Sequence, residues 1–396
     1  MNTVAPEQVG LSTARLDRIR THMQRYVDQK KYAGILTAIA RHDKLAFAEC
    51  FGMMDIEADK PMRFDTIFRI ASMTKPIASV AAMMLYEEGR FQLGDPVSRF
   101  IPEFKDLKVY KSATEVVPAE REVTIRDLLT HTSGLSGGFN PQRDPVDALY
   151  QEARVRNPAG TLEDMIAKLA KLPLANQPGS EWRYSLSTNV VGYLIQVISG
   201  LSLDVFLRQR IFEPLGMTDT GFDVPPEKLD RLAALYGPAD NGLKPADALW
   251  LSTSGFTTPA TFFSSEGGLV STTTDYLRFS HLLLHNGELD GVRLLSRKTV
   301  ELMTTNHLSG NLLPYRLLGT VQRGLGFGLG LSVVMDIGQT GILGSVGTYS
   351  WAGAFNTLFW VDPEEDLIGI LMTQYSIPLR PIRHEFQILA YQAVID

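Results

Sequence analysis

The spacing of hydrophobic and polar positions changes several times along the chain. Residues 13 to about 31 carry apolar side chains at helical spacing, behind Ser12 as a cap and ahead of Gly34. Residues 35–41 and 45–51 read as strands joined by His42-Asp43-Lys44, an antiparallel hairpin with His42 as a turn residue. Residues 77–86 are almost wholly apolar and predict a buried helix that stops at Gly89. An exposed excursion over 108–122 and a short helix from 124 come next. Residues 141–176 are mostly helical and polar, with an amphipathic piece over 162–172. A helix capped near Ser187 stops at Gly200, and another over 203–212 ends before Pro214. From 221 to 266 the pattern is irregular, and a loop that long in a compact chain is usually functional. Its Trp250, Phe256, Phe262 and Phe263 are candidates to wall a pocket. Helices over 274–285 and 296–303 lead into a strand-rich end at 325–335, 355–361 and 367–373. A closing helix covers about 379–394.

The two ends therefore look alike. Helix and hairpin open the chain; strands and helix close it. The economical assembly is an α/β (α+β) fold: one antiparallel sheet built from both chain termini, flanked by helices, with an inserted helical domain. Residues 1–70 with 285–396 would form the discontinuous sheet domain. Residues 71–284 would form the mainly helical domain with its pocket-walling loops.

Composition narrows the function. The balance of 44% hydrophobic and 21% charged residues is that of an ordinary globular protein. A net charge of −6 without a basic tract gives nucleic-acid binding no support. The single cysteine, Cys50, excludes an internal disulfide and reads as a core thiol. Cys/His metal-ligand spacing is absent, so no metal or cofactor is expected. The first residues lack a basic and an apolar leader region, and no run of 18 apolar residues occurs. A soluble, cytoplasmic protein with no membrane partner is the expectation.

The chemistry centres on Ser72-Met73-Thr74-Lys75, the only Ser-x-x-Lys in the chain, at the head of the apolar helix. One helical turn puts Ser72 and Lys75 on the same face. A serine hydroxyl is a poor nucleophile until a neighbour accepts its proton, and a lysine one turn away can do that. Pro76 fits only if this is the helix's first turn. Gly134-Leu135-Ser136-Gly137-Gly138 matches a Gly-x-Ser-x-Gly elbow in letters only, because a helix precedes it and a loop follows. The glycines of 325–335 lack the order of a phosphate loop and read as close backbone packing on a strand.

Ser72-Met73-Thr74-Lys75, Tyr184-Ser185-Leu186 and Trp351-Ala352-Gly353 occur in that order with long gaps. The ordered set resembles the serine β-lactamase and penicillin-binding-protein superfamily, and specifically the family VIII carboxylesterases on the class C β-lactamase fold. The likeness runs over nearly the whole chain. It implies Ser72 as nucleophile, Lys75 and Tyr184 sharing the proton work, and an oxyanion hole from the N–H groups of Ser72 and Ala354. β-Lactamases of this fold carry Lys/His-Thr-Gly where this chain has Trp351-Ala352-Gly353. Lys298-Thr299-Val300 and Gln339-Thr340-Gly341 are weaker matches to that slot. An indole there makes the pocket less welcoming to carboxylates and favours neutral substrates. Trp351, Ala352, Gly353, Phe139 and Phe262 are the expected pocket residues. No Glu-x-x-Leu-Asn is present, so deacylation would rely on Tyr184 and Lys75. The reading is a serine carboxylesterase acting on a small ester with a short acyl chain. Its rivals are a β-lactamase or D-alanyl-D-alanine peptidase, an acyltransferase, and a silent peptide-binding scaffold.

Overall fold

The computed structural model describes residues 3–249, 251–252, 254–377 and 380–396; Trp250 lies outside the described residues. The main sheet has eight strands: β1 (Gly34–Arg41), β2 (Lys44–Asp55), β3 (Lys60–Pro61), β4 (Leu325–Phe327), β5 (Ser332–Val334), β6 (Tyr349–Ala352), β7 (Leu358–Asp362) and β8 (Leu367–Thr373). Their order is β4-β5-β6-β7-β8-β1-β2-β3, and every pairing is antiparallel. The two ends of the chain meet in the middle of this sheet, where β1 pairs with β8 from Ile35↔Thr373 to Arg41↔Leu367. The terminal segments run side by side as well: Ser12 N–H donates to Ala393 O at 2.8 Å, and Ile395 N–H to Gly10 O at 3.0 Å.

Strand alternation sorts the side chains onto two faces. Ile35, Ile39, Phe47, Trp360 and Leu371 pack under α1 (Thr13–Asp28) and the closing helix α5 (Arg380–Tyr391). Leu36, Ala38, Phe359, Ile370 and Met372 face the larger core, which they share with α2 (Thr74–Glu87), α3 (Ser187–Ser199) and α4 (Thr273–Leu284). Trp360 lies over Gly369, where a Cβ would come within 2.1 Å of the indole. No single helix among the described residues is long and apolar enough to cross a membrane.

Local signals explain many boundaries. Ser12 caps α1 by accepting from Arg15 N–H. His42 and Asp43 both have positive φ, 51° and 61°, as a two-residue hairpin turn requires. Four segments differ from the sequence pattern. Residues 108–122 contain a small hairpin, Lys108–Ser112 with Glu115–Pro118. Residues 325–335 form two strands, β4 and β5, because Gly330 adopts φ 86° and turns the chain. The helix from Leu203 passes through a π turn, Arg208–Phe212, and continues beyond Pro214 to left-handed Gly216. The irregular region carries a hairpin, Tyr236–Ala239 with Gly242–Pro245.

Candidate active site

Ser72 sits in a 3-10 turn, Ala71–Met73, between the short strand Phe68–Arg69 and α2. Phe68–Arg69 pairs with Val270–Ser271, which ties this turn to the middle of the chain. Pro76 falls in the first turn of α2, where its missing N–H costs little. Ala71 has φ 45°, a strained conformation for a residue with a Cβ, and it immediately precedes Ser72. The Ser72 N–H lies in a first helical turn, where N–H groups have no intrahelical acceptor.

Three polar atoms converge there. Tyr184 Oη donates to Ser72 Oγ at 2.7 Å. Lys75 Nζ donates to Ser72 Oγ at 3.4 Å and, more closely, to the backbone carbonyl of Glu266 at 2.7 Å. The Lys75 side chain is only 2% exposed, and its ammonium lies 4.6 Å from the centre of the Tyr184 ring. Tyr184 is held between aromatic rings, stacked with Phe139 at 5.6 Å and Trp182 at 6.2 Å. Buried His131 touches the Tyr184 ring at 5.0 Å. Burial, helped by the charge of Lys75, holds its pKa well below 6.5, so it stays neutral.

Trp351 of β6 forms the next wall, 5.8 Å from Tyr184, and its indole N–H has no acceptor among the described residues. Gly353 allows the chain to pass close to the Ser72 turn: a Cβ there would lie 2.3 Å from Ile70 O. Its N–H donates to Thr357 O at 2.9 Å, whereas the Ala354 N–H has no acceptor among the described residues. Ser72 and Ala354 line one cavity of about 710 Å³, along with Lys75, Tyr184, Trp351, Ala352, Gly353 and Phe139.

Phe262 departs from expectation. It is buried in the main core and is not part of the cavity wall. Phe256 packs in a separate cluster with Ala71 and Leu251, and Phe263 lies against Phe222 at 5.1 Å. Phe262 and Phe256 anchor the irregular loop to its surroundings, and Leu251, Glu266 and Gly267 line the cavity instead. Ser136 is also buried; its hydroxyl is bonded to Asp147 and to Arg183, outside the cavity. Lys298 and Thr299 lie on the helix Arg297–Met303, away from the cavity, whereas Gln339 and Thr340 sit on its wall.

Two contributors escaped the sequence reading. Glu266 presents its carbonyl to Lys75 because Asn189 of α3 accepts from Glu266 N–H at 3.0 Å and from Ser264 Oγ at 3.1 Å. Arg156 pairs with the Glu266 carboxylate at 2.6 Å and lies 4.4 Å over the Phe139 ring. Neither carries a motif; Asn189, soon after Tyr184 on the helix that follows it, was the available signal.

A sheet closed from both chain ends, with a serine at the head of a buried helix and a lysine one turn on, defines a β-lactamase-like serine enzyme. The chain belongs to the Beta-lactamase family, whose model matches residues 19–392. It is 39% identical over 371 residues to Protein Rv1367c of Mycobacterium tuberculosis, covering 91% of this chain and 90% of that one. It is 29% identical to Esterase EstB of Burkholderia gladioli, again over 91% and 90% of the two chains. Among solved structures, EstCE1, a hydrolase with promiscuous acyltransferase activity, superposes with a TM-score of 0.82 at 26% identity, over 97% of this chain and 99% of that one. Esterases and acyltransferases both occur among the relatives.

Proposed function

We propose that the protein is an acyl-transferring serine esterase. It takes a short acyl group from a neutral ester onto Ser72 and passes it to an alcohol or to water. The observation that carries this reading is the approach of Tyr184 Oη and Lys75 Nζ to Ser72 Oγ, at 2.7 and 3.4 Å, within a large cavity. Ser72 Oγ attacks the ester carbonyl and its proton passes to Tyr184, the nearer group, which enters this step as the phenolate after giving its own proton to solvent. Lys75, anchored on Glu266 O, lies 4.6 Å from the centre of the Tyr184 ring, where a cation favours the phenolate. The N–H groups of Ser72 and Ala354 take the developing oxyanion; one such donor is typically worth about 3 kcal/mol of barrier. Tyr184 returns the proton to the departing alkoxide, which leaves an acyl-enzyme. An incoming alcohol or water repeats the steps in reverse.

A β-lactamase or D-alanyl-D-alanine peptidase would use the same machinery. Trp351 counts against both, because an indole cannot give a substrate carboxylate the charged hydrogen bond of a Lys or His. The test is p-nitrophenyl butyrate turnover with and without added alcohol, following both butyrate and the new butyrate ester. Ser72→Ala should abolish both products in a folded protein. A serine-directed phosphonate should label Ser72; an active Ser72→Ala protein, or a label on Ser136, overturns the assignment.

A further inference from the structure

The cavity does not stop at the catalytic face of the sheet. Along β6, Trp351 points to Tyr184 and the main core. Ser350 and Ala352 point the other way, in register with Trp360 and Leu358, which belong to the layer under α1 and α5. Yet Ser350, Trp351, Ala352 and Leu358 all line the same cavity. The space therefore turns around the edge of β6. It can do so because β5 is short: the two strands pair only at Ser332↔Ser350 and Val333↔Tyr349, which leaves Trp351 and Ala352 with no ladder partner on that side. Beyond this edge lies a reverse lobe, walled by Ile342 and Leu343 and by Gln387 of α5.

The volume of about 710 Å³ corresponds to roughly two dozen water-sized groups, at about 30 Å³ each. A short acyl group on Ser72 fills only a small part of it. The remaining space is open to the other half of the ester. In the proposed mechanism Tyr184 protonates the alcohol oxygen, and Tyr184 faces Trp351, next to the free edge. The walls mix Ile342, Leu343 and Leu358 with the hydroxyl of Ser350, the amide of Gln387 and, on the same helix, Arg383 and His384. That combination suits an apolar skeleton carrying a few oxygen functions.

We propose that the reverse lobe binds the alcohol half of the substrate, and that this alcohol is large, on the order of ten or more non-hydrogen atoms. The inference rests on the acyl-transfer reading. In transfer, the bond from the acyl carbon to Ser72 Oγ breaks as the bond to the alcohol oxygen forms. The alcohol's proton passes through Tyr184 to Ser72 Oγ, so no further reactant is needed.

The experiment compares kcat/KM for acetate esters of methanol, 2-phenylethanol and a steroid-sized alcohol, in wild type, Ser350→Trp and Gln387→Trp. Wild type should prefer the largest alcohol over methanol by at least tenfold. Each tryptophan should cut that ratio at least tenfold, mainly through KM. Gln387→Trp, on a helix surface, guards against misfolding at Ser350. Ester turnover with a ratio unmoved in both variants, or a wild type that prefers methyl acetate, overturns the proposal while leaving the acyl-enzyme reading intact. No ester turnover by wild type at all overturns both.

Discussion

Tyr184→Phe separates the two candidate bases. It removes one oxygen and keeps the ring stacked between Phe139 and Trp182. The fold should lose only the 2.7 Å hydrogen bond to Ser72, about 0.5–1.5 kcal/mol. The catalytic loss should be far larger. A positioned general base typically contributes about 10²–10⁴-fold, or roughly 3–5 kcal/mol of barrier. Lys75 is a poor substitute, because its Nζ is 3.4 Å from Ser72 Oγ and is already held at 2.7 Å by Glu266 O. Acylation should therefore fall at least about 100-fold. Stopped-flow measurement of the p-nitrophenol burst reads acylation apart from turnover, and a thermal melt reports the fold. If acylation falls by less than about threefold, well below the range for a general base, Lys75 takes the Ser72 proton and the assignment of Tyr184 is wrong.

Trp351→Lys restores a cation to the slot, and a charge-assisted hydrogen bond of about 1.5–3 kcal/mol should raise the nitrocefin-to-p-nitrophenyl butyrate ratio of kcat/KM by roughly one to two decades. The melting temperature should fall, since Trp351 is only 6% exposed; a wild type that prefers benzylpenicillin to the ester would make the protein a β-lactamase. Stability should decline below about pH 6.5. Burial keeps His131, His281 and His307 below their ordinary pKa in the fold, so the unfolded chain binds more protons there, and stability is complete above that pH and lost as pH falls. His131 alone contributes a slope of up to about 1.4 kcal/mol per pH unit. His131→Asn should flatten the pH dependence of the urea midpoint between pH 6.5 and 5, and an unchanged slope would count against a neutral His131.

The central sheet was readable because β1 and β8 carry near-continuous apolar runs, 35–40 and 367–372, buried on both faces. The hairpin at 108–118 was not, because both its strands are largely exposed and backbone hydrogen bonds set its register. Gly330 looked like a packing glycine on a strand; only its left-handed φ makes it a turn. Ser72 and Lys75 are legible because their geometry is local. Tyr184 and Trp351 needed the ordered motif set, since no single-residue signal marks them. The role of Glu266 is invisible in sequence because it acts through a main-chain carbonyl, which every residue possesses. Phe262 shows the converse problem: an aromatic side chain reads the same whether it walls a cavity or fills a core.

Residue 35 pairs early with residue 51 in the opening hairpin, but meets its second sheet neighbour only when residue 373 arrives. On the ribosome, α2 and Ser72 emerge long before β6, β7 and β8. Until then the nascent chain has its serine but lacks Trp351, Ala354 and the strand that closes the middle of the sheet. The apolar edge of β1 stays open for most of synthesis, the condition under which a chain is most prone to aggregation and most in need of a chaperone. A premature stop before residue 367 would leave that edge permanently bare. Such a fragment should be cleared or precipitate instead of surviving as a weakened enzyme.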